Sequence, residues 1–232
     1  CGNNAIRFQS FPDCQVIDEN YTLMPQNKDA EMPEVGAKKY YDITQITPEG
    51  SRTMSLVTEV SDINDSTVTF TYNYTFLDGT IFTDTVTSKK NGEDSQIVSM
   101  KALFTPQLMM FNRDSIEYVE GTEKLVYKNH LEENTVMDPA RLVLKAKDNG
   151  AEVMIELSVE ERNVYAVEEV TTPAGTFKCI KSSENHVAKI GDQEFFSKVV
   201  YLHNVKNDGM VRQTIYNKAG EATMDAVLTK EE

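Results

Sequence analysis

The chain has 232 residues, 40% of them hydrophobic and 26% charged, with a net charge of −14 at pH 7. Its apolar content is too high for a disordered polymer and is enough for one large domain or two small ones. Nowhere do about 18–20 apolar residues run without interruption, so no segment reads as a bilayer-spanning helix. With no basic stripe to displace counterions from phosphates, a nucleic-acid partner is excluded.

Residues 1–34, "CGNNAIRFQSFPDCQVIDENYTLMPQNKDAEMPE", show neither a period of 2 nor one of 3.6 and carry three prolines among many Asn, Asp and Gln. They read as a tether or draped arm, and residues 35–232 as a single all-β domain. The strands begin with "KKYYDITQI" and "SRTMSLVTEV", rich in the β-branched and aromatic residues that suit a pleated surface. In "STVTFTYNYTF", Val68, Phe70, Tyr72, Tyr74 and Phe76 fall at every second place, giving one apolar and one polar face. Asp78–Gly79 then supplies a positive-φ pair, so 66–76 and 80–87 are predicted to be antiparallel neighbours. The next stretch, "SQIVSMKALFTPQLMMFNRDS", breaks at Pro106 and fits neither a strand nor a long helix. Its residues Met100, Leu103, Phe104, Leu108, Met109, Met110 and Phe111 are candidates for an apolar plug or binding segment on the concave side of the sheet.

Regular patterning returns with "ARLVLKAK", Asn149–Gly150 and "AEVMIELSVEE", a second hairpin. "VYAVEEVTT", "GTFKCIKSS", "QEFFSKVVYLHNV", "MVRQTIYN" and "EATMDAVLT" follow as further strands. They are separated at Pro173–Gly175, Gly191–Asp192, Asp208–Gly209 and Ala219–Gly220. The expected fold is all-β: a large, curved antiparallel meander, either a sandwich or a partly open barrel, with little helix.

In "VEEVTTPAGTFKCIK", Pro173 suits the second position of a type I turn and Gly175 the fourth, which places Phe177 and Cys179 on one face. The same stretch resembles the TapB-like group of secreted bacterial proteins, a domain-of-unknown-function family with a "TPAGTFxC" turn. "VGAKKYYDITQITPEGSRTMSLVTEV" looks like that family's opening strand pair, and "YNKAGEATMDAVLT" like its closing hairpin. The resemblance covers about 35–230; where many members have a Trp-Tyr pair, Tyr201 and Leu202 stand here. It implies a secreted, β-rich envelope protein and supplies no catalytic residues.

The residues themselves offer no catalytic apparatus. There is no GxSxG elbow and no SxxK, and no phosphate-cradling glycine loop. Adjacent acids such as Glu160–Glu161 point to opposite faces of a strand. "DINDS" (62–66) lacks the later ligands of a calcium loop. His130, His186 and His203 stand far apart, so neither a metal nor a cofactor is expected.

Cys1, followed by Gly2, Asn3 and Asn4, resembles the mature end of a bacterial lipoprotein. The expectation is lipid on Cys1, with two or three acyl chains anchoring the protein to the cell envelope, at the outer membrane on its periplasmic side or surface. Cys14 and Cys179 are a candidate disulfide for an oxidising compartment, the alternative being two separate thiols. Two functions stay open: a non-enzymatic binding module for an apolar ligand or partner segment, and a structural or interaction subunit with no small-molecule site. A cavity behind the plug favours the first, and a filled core the second. Glycan binding ranks below both, because sugars commonly stack on Trp and the chain has none.

Overall fold

A computed structural model describes residues 34–65, 67–89, 95–128 and 131–232. Strand accounts for 69% and helix for 6%, and the main element is one antiparallel sheet of 12 strands that does not close into a barrel. In chain order the first strands are β1 (Lys38–Thr47), β2 (Gly50–Ile63), β3 (Thr67–Thr75), β4 (Ile81–Lys89) and β5 (Ser95–Ser99). Two four-residue helices follow, α1 (Met100–Leu103) and α2 (Thr105–Leu108), then β6 (Glu117–Gly121), β7 (Lys124–Lys128), β8 (Thr135–Val136) and β9 (Ala140–Asp148). The last five strands are β10 (Ala151–Thr172), β11 (Gly175–Ile190), β12 (Gln193–Asn204), β13 (Met210–Tyr216) and β14 (Ala222–Glu231).

The sheet runs β4-β3-β2-β1-β14-β13-β12-β11-β10-β9-β6, with β8 added beside β10 and a separate β5–β7 pair. Most neighbours are joined by hairpins, and the turns explain why. Asn149 and Gly150 both adopt positive φ, 49° and 83°, the geometry a two-residue turn between right-twisted strands requires. At the β3–β4 turn Asp78 accepts a hydrogen bond from the Thr80 amide at 2.8 Å and Gly79 takes the positive φ. In β3 the expected alternation holds: Val68, Tyr72 and Tyr74 are buried.

One expectation changes. "AEVMIELSVEE" and "VYAVEEVTT" read as separate strands, yet both belong to the 22-residue β10. The intervening Glu160–Asn163 is a bulge rather than a turn: register slips there and again between Val164 and Val167, and Glu161 sits at φ 49°. Bulges bend a strand without ending it. The matching β11 runs 16 residues against it.

The two largest of the five apolar clusters lie on different parts of the sheet. One cluster gathers Tyr41, Ile43 and Leu56 from β1 and β2 with Tyr201, Ile215 and Leu228 from β12, β13 and β14. The other lies on β9, β10 and β11, where Leu142, Leu144, Ile155, Leu157 and Ala188 are covered by the helical segment. Burying each such Leu or Ile is worth about 1.5–3 kcal/mol against exposure. Between the two, the β10–β11 turn folds inward, and Ala174 and Phe177 pack on the first cluster.

Candidate functional site

One face of the β9–β11 region is covered by the helical segment. Ser99 caps α1 by accepting from the Ala102 amide at 3.4 Å, and the Met100 amide donates to the Glu123 carbonyl at 2.9 Å. Pro106 cannot continue α1, having no N–H to give, but it fits the first turn of α2. The result is two short turns of helix that drive Met100, Leu103, Phe104 and Leu108 into the second cluster, with Phe111 packed at its margin. Met109 and Met110 face outward instead, 57% and 53% exposed. Of the seven residues named as a plug or binding segment, those two belong to the surface.

Beneath this layer lies a polar cluster that sequence reasoning missed. Arg162 of β10 and Glu184 of β11 are 2% and 1% exposed. The Glu184 carboxylate meets His186 Nε2 at 2.5 Å and accepts from the Tyr127 hydroxyl at 2.8 Å. Arg162 donates through its terminal nitrogens to the carbonyls of Asp138 at 2.6 Å and Val126 at 2.9 Å. Its guanidinium lies 4.8 Å from the centre of the Tyr127 ring. Nε of Arg162, 3.8 Å from Glu184, makes no hydrogen bond. Burial alone pushes the Glu184 carboxyl up; hydrogen bonding and charge from His186, the charge of Arg162 and the Tyr127 hydroxyl outweigh it and hold the group down at about 2. Because β7 supplies Tyr127 and the Val126 carbonyl, the cluster fastens the covering layer to the sheet. No sequence motif announces it, since Arg and Glu ordinarily signal solvent.

The opposite face of β10–β13 carries an open cleft of about 820 Å³. Lys181, Lys198 and Lys218 line it with the rings of Tyr165, Phe196 and Tyr216, and Glu161 is the one acid among the lining residues. Lys181 Nζ lies 5.3 Å from the Tyr165 ring centre, the Tyr165 and Ser183 hydroxyls bond at 3.0 Å, and Lys218 pairs with Glu194 at 3.1 Å. Lys198 has no partner among the described residues. A smaller cleft of about 430 Å³ sits by the β1–β2 and β3–β4 turns, beside exposed Leu77.

Cys1 and Cys14 lie outside the described residues, and with them the lipid site and the candidate disulfide. Cys179 is a buried thiol whose pKa is pushed up to about 11 by burial and by the nearby Glu168 carboxylate. It packs with Leu202, Val211 and Phe177 as a small hydrophobe. Among the described residues no group of three or more His, Cys, Asp or Glu side chains is placed to hold a metal ion.

An open antiparallel sheet of this kind is already seen in bacterial structures. The DUF3108-like family model matches residues 37–228, and the chain belongs to that family. The match supports the unknown-function character that the resemblance implied but not the TapB-like name. A protein from Bacteroides fragilis, described as exported and as having a YmcC-like fold, superposes with a TM-score of 0.56 at 21% identity, covering 86% of this chain and 96% of its own. One described as a lipoprotein from Parabacteroides distasonis gives 0.57 at 18% identity, covering 93% of this chain and 100% of its own. These likenesses extend to the fold. The comparison with curated proteins gives no match.

Proposed function

We propose that this protein is a non-enzymatic lipoprotein of the cell envelope, anchored through lipid on Cys1, that works by surface contact rather than by carrying an apolar molecule in its core. The observation behind this reading is the covered sheet face: Met100, Leu103, Phe104 and Leu108 pack directly on Leu142, Leu144, Ile155 and Leu157, where an apolar ligand would otherwise lie. The envelope location draws on the exported and lipoprotein descriptions of the two similar structures.

Two measurements test it. Titration of the non-acylated protein with a fluorescent fatty acid is expected to give no saturable binding; saturable binding, weakened in a folded Leu108→Ser variant, would restore the apolar-carrier reading. Expression of the precursor in a bacterial host with labelled palmitate is expected to label the protein, and Cys1→Ala to move it to the soluble fraction. Absence of label on the wild type would end the anchoring claim.

A further inference from the structure

The geometry points to an acidic polysaccharide as the occupant of the outer-face cleft. This inference rests on the surface-contact reading and gives that contact a chemistry.

Charge comes first. In a chain of net charge −14, the cleft is lined by Lys181, Lys198 and Lys218 against Glu161, and with Lys218 paired to Glu194 the local excess is carried by Lys181 and Lys198. A polyanion is repelled over most of the surface and attracted here, so the surrounding field sharpens the choice of site. Lys198 is exposed and unpaired among the described residues, which leaves its ammonium available to a carboxylate.

Register supplies the second argument. Asn185 of β11 stands opposite Lys198 of β12, which stands opposite Tyr216 of β13. An amide, an ammonium and a phenol ring thus form one row across three strands. Two strand spacings span about 10 Å, the length of two linked pyranose rings. Asn163 and Asn217 also line the cleft, the first bonded to the Glu161 carbonyl and the second to Glu221, each with one amide hydrogen left over. Amides suit hydroxyls, ammonium groups suit carboxylates, and the Tyr and Phe faces suit the C–H surface of a sugar.

Topology separates this ligand from an acidic peptide. Along the row the backbone ladder is closed on both sides, Asn185 between Glu160 and Lys198, and Tyr216 between Lys198 and Ala222, while β10 beyond Val164 and β12 before Lys198 are paired on one side. At that row no backbone edge is open for a peptide to join as an added strand, so recognition there falls to side chains.

The test uses the full chain and titration calorimetry with oligogalacturonate, alongside neutral dextran oligomers and polyglutamate. Saturable, salt-sensitive binding of oligogalacturonate is expected, with dextran and polyglutamate at least about tenfold weaker. Lys198→Glu and Tyr216→Ala should each weaken binding about tenfold or more, while Lys198→Arg and the remote Lys101→Ala keep it. Lys198 is exposed, so loss of binding there is not a folding failure. No binding, equal binding of polyglutamate, or binding indifferent to both cleft variants would each overturn the assignment. The fatty-acid titration reports separately on the core, so the failure of one proposal is distinguishable from that of the other.

Discussion

Glu184 shows how far the chemistry of one residue depends on its surroundings. Its carboxyl is held at about 2 against an ordinary 4.5, so folding favours the ionised form. A group with a depressed folded pKa contributes stability fully above its unfolded value, and the contribution drains away as pH falls through the folded one. For Glu184 that window runs from 4.5 down to 2. Glu184→Gln leaves Arg162 buried without its counter-charge and is expected to cost about 3–5 kcal/mol at pH 7. Urea melts of wild type and variant should converge as pH is lowered through the window; a gap that stays constant to pH 3 would show that the charge is not what stabilises the site. Neither partner was legible in the sequence. A charged residue is assigned to solvent unless its neighbours are known, and here they come from β7, β10 and β11.

At the scale of elements, turns were the most readable feature and long strands the least. Asn149–Gly150 and Asp78–Gly79 declare themselves because few residue pairs tolerate their backbone angles. The bend in β10 is hidden for the opposite reason: "EERN" is polar enough for a loop, yet it is a bulge inside a paired strand. The cleft was equally hidden, since its lysines stand on β11, on β12 and in the β13–β14 turn, with no spacing to link them. Its rings, Tyr165, Phe196 and Tyr216, are likewise scattered over three strands. The plug was half legible; its position followed from the break at Pro106, but which methionines turn inward depends on the two short helices. Phe104→Ala should therefore destabilise by about 3–5 kcal/mol, and Met110→Ser by less than about 0.5 kcal/mol. Equal effects in denaturant melts would mean the helical segment does not pack as described.

Over the whole molecule, two core clusters share one sheet, and the long hairpin joins them. β10 gives Ile155 and Leu157 to one cluster, while Phe177 of β11 packs on the other. Neither can disperse without disturbing strands that support both. A single calorimetric transition is expected for the domain, with calorimetric and van't Hoff enthalpies in agreement. Two resolved transitions would mean the halves melt independently.

The placement of β1 has a mechanical consequence. It lies in the interior of the sheet, hydrogen-bonded along its length to β2 on one side and β14 on the other. Its entry is clamped as well, with Gly36 donating to the Val60 carbonyl at 2.8 Å and Lys38 exchanging backbone bonds with Glu232 at 2.8 and 2.9 Å. A pull on the chain just before Glu34 that is directed along β1 meets both pairings at once. It loads two ladders in shear, so many hydrogen bonds must fail together instead of unzipping one by one. A protein held to a surface by the segment preceding β1 would resist drag with the strongest direction its sheet possesses.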